Sequence, residues 1–291
     1  MRELPDESVM LTVTSPPYFN AVDYDRYAAG LAEYKTRSYS KGFEPDGYES
    51  YLSLMQRVFR EVYRVTAPGG WCVVVAASIL RLGKNITVPF DLTSRLQDLG
   101  WELCHEIIWD KGRPVLDRAG AFIKHRTAGS FHPNISTEHI LVFRRPGPRL
   151  LLAKDSDPLP LSPLLTREIA NNLWHIPPVP PGAIDHPCPF PEEIPHRAIL
   201  LYSVPGALVL DPFCGSGQTG KVALALNRRF VGYEIEARFA ELARSRLKEP
   251  LSLRAQQMVR RFEHIEDDPF LTAGLGSPSK NENEPSVRGA P

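Results

Sequence analysis

The chain has 291 residues, with 34 Lys and Arg balanced by 34 Asp and Glu, and its 43% hydrophobic content is that of an ordinary soluble protein with one large α/β domain or two small ones. No apolar run approaches the ~20 residues of a membrane span, and Met1 to Asp6 lacks the apolar core of a signal peptide, so the reading is cytoplasmic with no membrane partner. Cys72, Cys104, Cys188 and Cys214 show no Cys-x-x-Cys spacing, which predicts free thiols and no metal site.

Val9 to Val13 is a short apolar run with β-branched members that stops at Ser15-Pro16-Pro17, because proline cannot continue a central strand. It predicts a buried parallel strand. Tyr48, Tyr51, Leu52, Met55, Val58, Phe59, Val62 and Tyr63 recur at helical spacing and predict a helix over 48–66, ended by Pro68-Gly69-Gly70. A buried strand over 71–77, a helix over 89–99 stopped by Gly100, and strands over 101–109 and 137–143 follow. From Pro146 to Pro195 the chain is proline-rich and reads as an irregular surface excursion. Helices at 192–202, 219–226 and 237–247 then alternate with strands at 207–210 and 229–233. Alternation of this kind predicts an α/β fold with a mainly parallel, doubly wound sheet and ligands at the carboxyl ends of its strands. Residues 1–262 read as one domain, and 263–291, poor in large apolar residues, as a disordered tail.

Two strand ends carry chemistry. After the strand Ala207 to Leu210 comes Asp211-Pro212-Phe213-Cys214-Gly215-Ser216-Gly217, whose glycines permit a tight turn that presents backbone N–H groups with little side-chain bulk. The next strand ends in Glu234, a carboxylate able to accept hydrogen bonds from two ribose hydroxyls, with Glu236 two positions on as a competitor. These features predict a nucleoside-cofactor pocket.

Taken with Thr14-Ser15-Pro16-Pro17-Tyr18, that loop resembles the amino-directed DNA methyltransferases that use S-adenosylmethionine. Asp211 to Gly217 is similar to their cofactor loop, Thr14 to Tyr18 to their catalytic loop, and His186-Pro187-Cys188-Pro189-Phe190-Pro191-Glu192 to the segment before the cofactor loop. The catalytic loop comes first, as in the circularly permuted beta group, and the resemblance covers about residues 4–248. It implies a Rossmann-like, S-adenosylmethionine-dependent methyltransferase fold with permuted motif order. The family pattern also places a further strand and a Gly-Asp segment upstream of Leu4. Ser-Pro-Pro-Tyr resembles the enzymes that methylate the N4 amine of cytosine; adenine N6 is the alternative, and a catalytically silent DNA-binding relative is a third reading.

The resemblance implies roles for single residues. Ser15 Oγ and the Pro16 carbonyl would accept hydrogen bonds from the amine, with Pro16 and Pro17 limiting local freedom. Tyr18 would stack on a base flipped out of double-stranded DNA, and Phe19 would extend that wall. Asp211, Phe213, Gly215, Ser216, Gly217 and Thr219 would hold the methionine and ribose side of the cofactor, and Glu234 the ribose hydroxyls. His186, Pro189, Phe190 and Glu192 would close the methionine end. Residues 144–185 would carry target recognition, and a cognate restriction endonuclease would be a partner.

Competing readings rest on local patterns. Gly215 to Lys221 fits the first seven positions of a phosphate-binding loop, but Val222 stands where Ser or Thr would bind magnesium. Pro187-Cys188 resembles the nucleophile of enzymes that methylate cytosine carbon, but Pro189 follows where Gln is expected, and a structural cysteine is the better account. Between Lys111 and Arg149, eight basic residues face only Asp117 and Glu138. Lys111, Arg113, Arg118, Lys124, Arg126, Arg144 and Arg145 are therefore candidate phosphate contacts, against the bland reading of a solvated loop. Asn171, Asn172, Trp174 and His175 are candidates for reading bases, with packing of Trp174 the rival.

Overall fold

Strand residues that alternate between two apolar layers dictate the architecture. In the computed structural model, which describes residues 1–19, 45–81, 84–112, 128–129, 135–150, 159 and 168–252, the elements run β1 (Val9–Thr14), α1 (Pro45–Val65), β2 (Thr66–Ala76), β3 (Ile79–Arg81), β4 (Lys84–Ile86), α2 (Val88–Gln97), β5 (Glu102–Asp110) and β6 (Thr137–Arg144). They continue with β7 (Leu173–His175), α3 (Glu193–Tyr202), β8 (Leu208–Asp211), α4 (Gln218–Ala225), β9 (Arg229–Gly232) and α5 (Ala237–Arg246). Cys72, Val74, Leu141 and Phe143 point into a layer with Tyr51, Met55, Phe59 and Val62 of α1 and Leu92 and Leu96 of α2. Their neighbours Val73, Val75, Ile140 and Val142 point the other way, against Ile194, Ala198 and Ile199 of α3 and Val222 and Ala223 of α4. The period of two therefore builds a core on each face and a doubly wound sheet.

Seven strands lie in the order β7-β5-β6-β2-β1-β8-β9. Only β6 runs against the others, pairing antiparallel with β2 and β5, so the sheet is mainly parallel. From β1 the chain proceeds through α1 to β2 on one side, and from β8 through α4 to β9 on the other. The crevice between the carboxyl ends of β1 and β8 is thus the switch point at which such sheets bind ligands. A two-stranded hairpin of β3 and β4 stands apart from the sheet. No helix among the described residues is long and apolar enough to cross a membrane.

The break expected at Pro68-Gly69-Gly70 falls elsewhere. Helix α1 ends earlier, at Val65, and β2 begins at once with Thr66, so the Pro-Gly-Gly segment lies inside the strand. Backbone pairing of Gly69 N with the Arg145 carbonyl and of Arg145 N with the Gly70 carbonyl, both at 2.9 Å, keeps the strand going. Glycine is required at 69 because φ is +83° and a Cβ there would sit 1.9 Å from the Pro148 carbonyl oxygen. The tail expected over 263–291 lies outside the described residues, as do 151–158 and 160–167 of the recognition stretch.

Candidate active site

Thr14, the last residue of β1, donates its hydroxyl to Asp211 Oδ1 of β8 at 2.6 Å, and this bond ties together two loops 197 positions apart. Asp211 Oδ1 also accepts the Phe213 N–H at 3.1 Å, which bends the chain out of β8. Burial pushes the Asp211 carboxyl up to about 6, against the Thr14 hydroxyl and Phe213 N–H that pull it down. Asp211 is a brace between the loops; it does not line the cavity beside them.

That cavity, of about 360 Å³, has Ser15 and Pro17 on one wall and Phe213, Gly215 and Ser216 on another. His186, Cys188, Pro189 and Phe190 close a third side, and Glu234, Ile235, Glu236 and Phe239 the fourth. Its size suits a nucleoside-bearing ligand. Gly215 is needed here: φ is +50°, and a Cβ would lie 2.8 Å from His186 Nε2. His186 packs edge-on to Phe239 at 4.7 Å, and burial together with the Arg246 charge lowers its pKa to about 4. It is neutral at pH 7, so a cationic ligand meets no positive charge from that imidazole.

Glu234 accepts the Gly215 N–H at 2.7 Å on Oε2 and the Glu236 N–H at 3.0 Å on Oε1. A carboxylate has about four acceptor positions, so two remain after the turn has been fixed. The residues fit S-adenosylmethionine on three counts: a diol acceptor with spare lone pairs, apolar walls from Phe213, Ile235 and Phe239, and a loop from which a Cβ would exclude His186.

Behind the loop lies a cluster of charges that sequence reading did not find. Lys221 Nζ is 2.8 Å from Glu192 Oε1, and each side chain is 4% exposed. Arg246 approaches the same oxygen at 3.7 Å and bonds Gln218 Oε1 at 2.8 Å and the Ser216 carbonyl at 3.1 Å. Gln218 in turn donates to the Phe190 carbonyl at 2.7 Å. The cluster thus joins the cofactor loop, the 186–192 segment and α5. It also removes the phosphate-loop reading, because Lys221 is committed to a buried carboxylate instead of an open cradle.

Several sequence expectations move. Thr219 is fully buried and donates to the Val13 carbonyl at 3.2 Å, and Gly217, at φ +81°, packs on Ala243; both shape the loop without lining the cavity. Phe19 is 1% exposed and packs on Tyr48 and Tyr51 with ring centroids 5.0 and 5.3 Å away, so it belongs to the core and not to a base-stacking wall. Pro16 is buried next to Ser15. Tyr18 stands beside Ser15, its hydroxyl oxygen 3.4 Å from Ser15 Oγ. Trp174 is 1% exposed under the Arg197 guanidinium, which settles it as packing; Asn171 and Asn172 lend backbone carbonyls to Trp174 and Ile108, and His175 bonds Asp110 at 2.8 Å. Among cavity residues that sequence reading missed, Gln218, Phe239 and Ile235 are ordinary helix or loop residues whose spacing carries no signal.

A family model described as DNA methylase matches residues 9–245. The chain belongs to the DNA methylase family. The methylase is 31% identical to the type II methyltransferase M.MthZI of Methanothermobacter thermautotrophicus over 288 residues, covering 91% of this chain and 79% of that one. It is 32% identical to M.MjaI of Methanocaldococcus jannaschii, covering 81% and 84%. Among solved structures it resembles a protein described as a putative DNA modification methylase of Thermus thermophilus, complexed with S-adenosyl-L-methionine, at 28% identity and a TM-score of 0.62 over 84% of this chain and 88% of that one. The Rossmann-like α/β fold is shared with that solved methylase, and in this chain the Ser15 loop precedes the Asp211 loop, which is the permuted motif order.

The methylase's basic stretch divides between two edges of the sheet. Lys111, at the end of β5, lies on the edge that carries Ser15 and Asp211. Arg144 ends the antiparallel β6, roughly 23 Å from its first residue at ~3.3 Å per residue, and Arg145 follows it, so both lie at the opposite edge. That placement, away from the cavity, disfavours the phosphate contacts expected of them. Arg145 instead donates to the carbonyls of Tyr63 at 3.1 Å and Thr66 at 2.5 Å and pairs with Glu7 at 2.8 Å, which caps the carboxyl end of α1. Arg144 bonds the Gly147 carbonyl. Arg145→Ala should cost on the order of 2 kcal/mol in urea unfolding and leave the salt dependence of DNA binding unchanged; a flatter salt slope would return Arg145 to the DNA. Arg113, Arg118, Lys124 and Arg126 lie outside the described residues.

Proposed function

We propose that this DNA methyltransferase acts on the exocyclic N4 amine of cytosine at specific sites in double-stranded DNA. The methyl donor is S-adenosylmethionine, which supplies a methyl group on a sulfonium centre that departs as a neutral thioether. What carries the reading is Ser15, half-buried at the end of β1 and facing into the cavity whose other walls fit the donor.

The cytosine amine is a poor nucleophile because its lone pair is delocalised into the ring. Ser15 Oγ accepts one amine hydrogen and the Pro16 carbonyl another, drawing the nitrogen toward a tetrahedral geometry with its lone pair aimed at the methyl group. As the N–C bond forms, the amine gains positive charge and then releases a proton to solvent. A base inside a duplex cannot reach this cavity, so the cytosine is flipped out, and Tyr18 stacks on it. Lys111 and Gly112 at one end, and Ile135 at the other, place both ends of the basic stretch holding Arg113, Arg118, Lys124 and Arg126 on the site edge, which favours phosphate contact there. Residues 144–185, apart from the packed Trp174, are the stretch proposed for target recognition, and the type II relatives favour a cognate restriction endonuclease as the functional companion. The Ser-Pro-Pro-Tyr loop, with Ser in place of the Asp or Asn more frequent in adenine enzymes, supports cytosine over adenine.

Calorimetry and transfer of labelled methyl groups test the pocket assignment. Glu234→Ala should weaken S-adenosylmethionine binding by about 1–3 kcal/mol, the worth of hydrogen bonds to a charged acceptor, and transfer to DNA should recover at saturating cofactor. Unchanged affinity would remove Glu234 from the cofactor.

A further inference from the structure

Glu138 is a carboxylate near the start of β6, between Thr137 and His139, and at 5% exposed it occupies a position where an unpaired charge would be costly. It is not unpaired. Lys111 Nζ, at the end of the neighbouring β5, lies on Oε1, and the Tyr18 hydroxyl lies 2.7 Å from Oε2. Lys111 is itself held over the Trp109 ring, 5.0 Å from its centroid. The Tyr18 oxygen is 3.4 Å from Ser15 Oγ, a long contact of the kind that shortens when a substrate closes a site.

The donors and acceptors in this chain have only one consistent direction. An ammonium can only donate, and an ionised carboxylate can only accept. The Tyr18 O–H must therefore point at Glu138, and burial with the neighbouring carboxylate raises the Tyr18 pKa well above its ordinary value, which keeps that proton in place. The Tyr18 oxygen is then left as an acceptor, so the Ser15 proton turns toward it and away from the cavity. The lone pairs of Ser15 Oγ are what the cavity sees.

We propose that Glu138, charged and oriented by Lys111, is a positioning residue that fixes Ser15 as a hydrogen-bond acceptor for the target amine, acting through the Tyr18 hydroxyl. It rests on the reading of Ser15 as the group that receives the amine. Ser15 alone could rotate its proton into the cavity and repel the N–H it should accept. With Glu138 anionic, that rotation loses a bond to Tyr18, and the acceptor state is prepared before the base arrives.

A double-mutant cycle between Glu138→Gln and Tyr18→Phe, read as single-turnover methyl transfer at saturating cofactor, tests it. Each single variant should slow transfer by about five- to thirtyfold, the worth of one hydrogen bond, with S-adenosylmethionine affinity unchanged by calorimetry. The double variant should be no slower than the slower single one, because both cut the same chain. Losses that multiply would mean that Glu138 acts by some other route, and the inference fails. Tyr18→Phe keeps the ring and its packing, so it carries the test if Glu138→Gln does not fold: a wild-type rate in Tyr18→Phe overturns the proposal. Ser15→Ala separates the two levels. If it transfers at the wild-type rate, the parent reading fails; if it is slow while Tyr18→Phe is fast, only the positioning chain fails.

Discussion

Ser15→Ala should lower methyl-transfer turnover by about ten- to a thousandfold, a loss of ~1.4–4 kcal/mol when one hydrogen bond made in the transition state is removed. S-adenosylmethionine affinity should stay nearly constant, because Ser15 comes from β1 while the groups proposed to hold the cofactor come from β8, β9 and the 186–190 segment. Single-turnover transfer and calorimetry on the same preparation read the two quantities separately. A rate within about twofold of wild type would show that the amine finds its acceptor elsewhere, and an equal loss in cofactor affinity would place Ser15 on the cofactor side of the cavity.

Glu192→Ala should be the most destabilising single change proposed for this chain. It strips the buried Lys221 ammonium of the carboxylate at 2.8 Å and, among the described residues, leaves Lys221 and Arg246 with Glu249, half-exposed at 3.4 and 3.6 Å, as their remaining paired anion. Breaking a buried ion pair from one side costs about 3–5 kcal/mol, because the surviving charge stays desolvated. Urea unfolding should show that loss as a fall in midpoint with little change in slope. Cofactor affinity should fall as well, since Arg246 would lose part of what holds it against Gln218 and the Ser216 carbonyl behind the loop. A loss below about 1 kcal/mol would mean that water reaches the cluster and screens it.

The elements with strong periodicity are legible in the amino-acid sequence itself. Leu11 and Val13 of β1, the α1 stripe and the strand before Asp211 announce themselves by apolar spacing, and the two motifs each sit at a strand's carboxyl end as the topology requires. Strands of three residues are not legible: β3, β4 and β7 are shorter than the window in which alternation can be seen. Pro68-Gly69-Gly70 reads as a break because its local preference is for turns, yet pairing with the backbone of Arg145 overrides that preference. The charge between Lys111 and Arg149 marks a basic stretch but carries no direction, and the antiparallel β6 takes Arg144 and the adjoining Arg145 to the far edge of the sheet.

The site is legible in outline and illegible in its supports. Ser15, Phe213, Gly215, Glu234, His186 and Phe190 all border the same cavity, whereas Thr219 and Gly217 shape its floor from behind. Glu138 counts in the sequence only as an acid among basic residues, since its contact with Tyr18 spans 120 positions. One signal does exist: an acid at 138 shares the period-two face of Ile140 and Val142, an apolar face on which a charge demands a cationic or hydroxyl partner. Lys221 and Glu192 lack even that, because each sits in a helical or proline-flanked stretch where a charge is unremarkable.

Methylation of cytosine at N4 is tested head-on by nucleoside mass spectrometry of duplex DNA incubated with the protein and S-adenosylmethionine. The expected product is N4-methyl-2′-deoxycytidine, absent when cofactor is omitted and strongly reduced with Ser15→Ala. N6-methyl-2′-deoxyadenosine as the sole product would contradict the assignment to cytosine, and no methylated nucleoside from a folded, cofactor-binding protein would contradict methyl transfer to DNA itself.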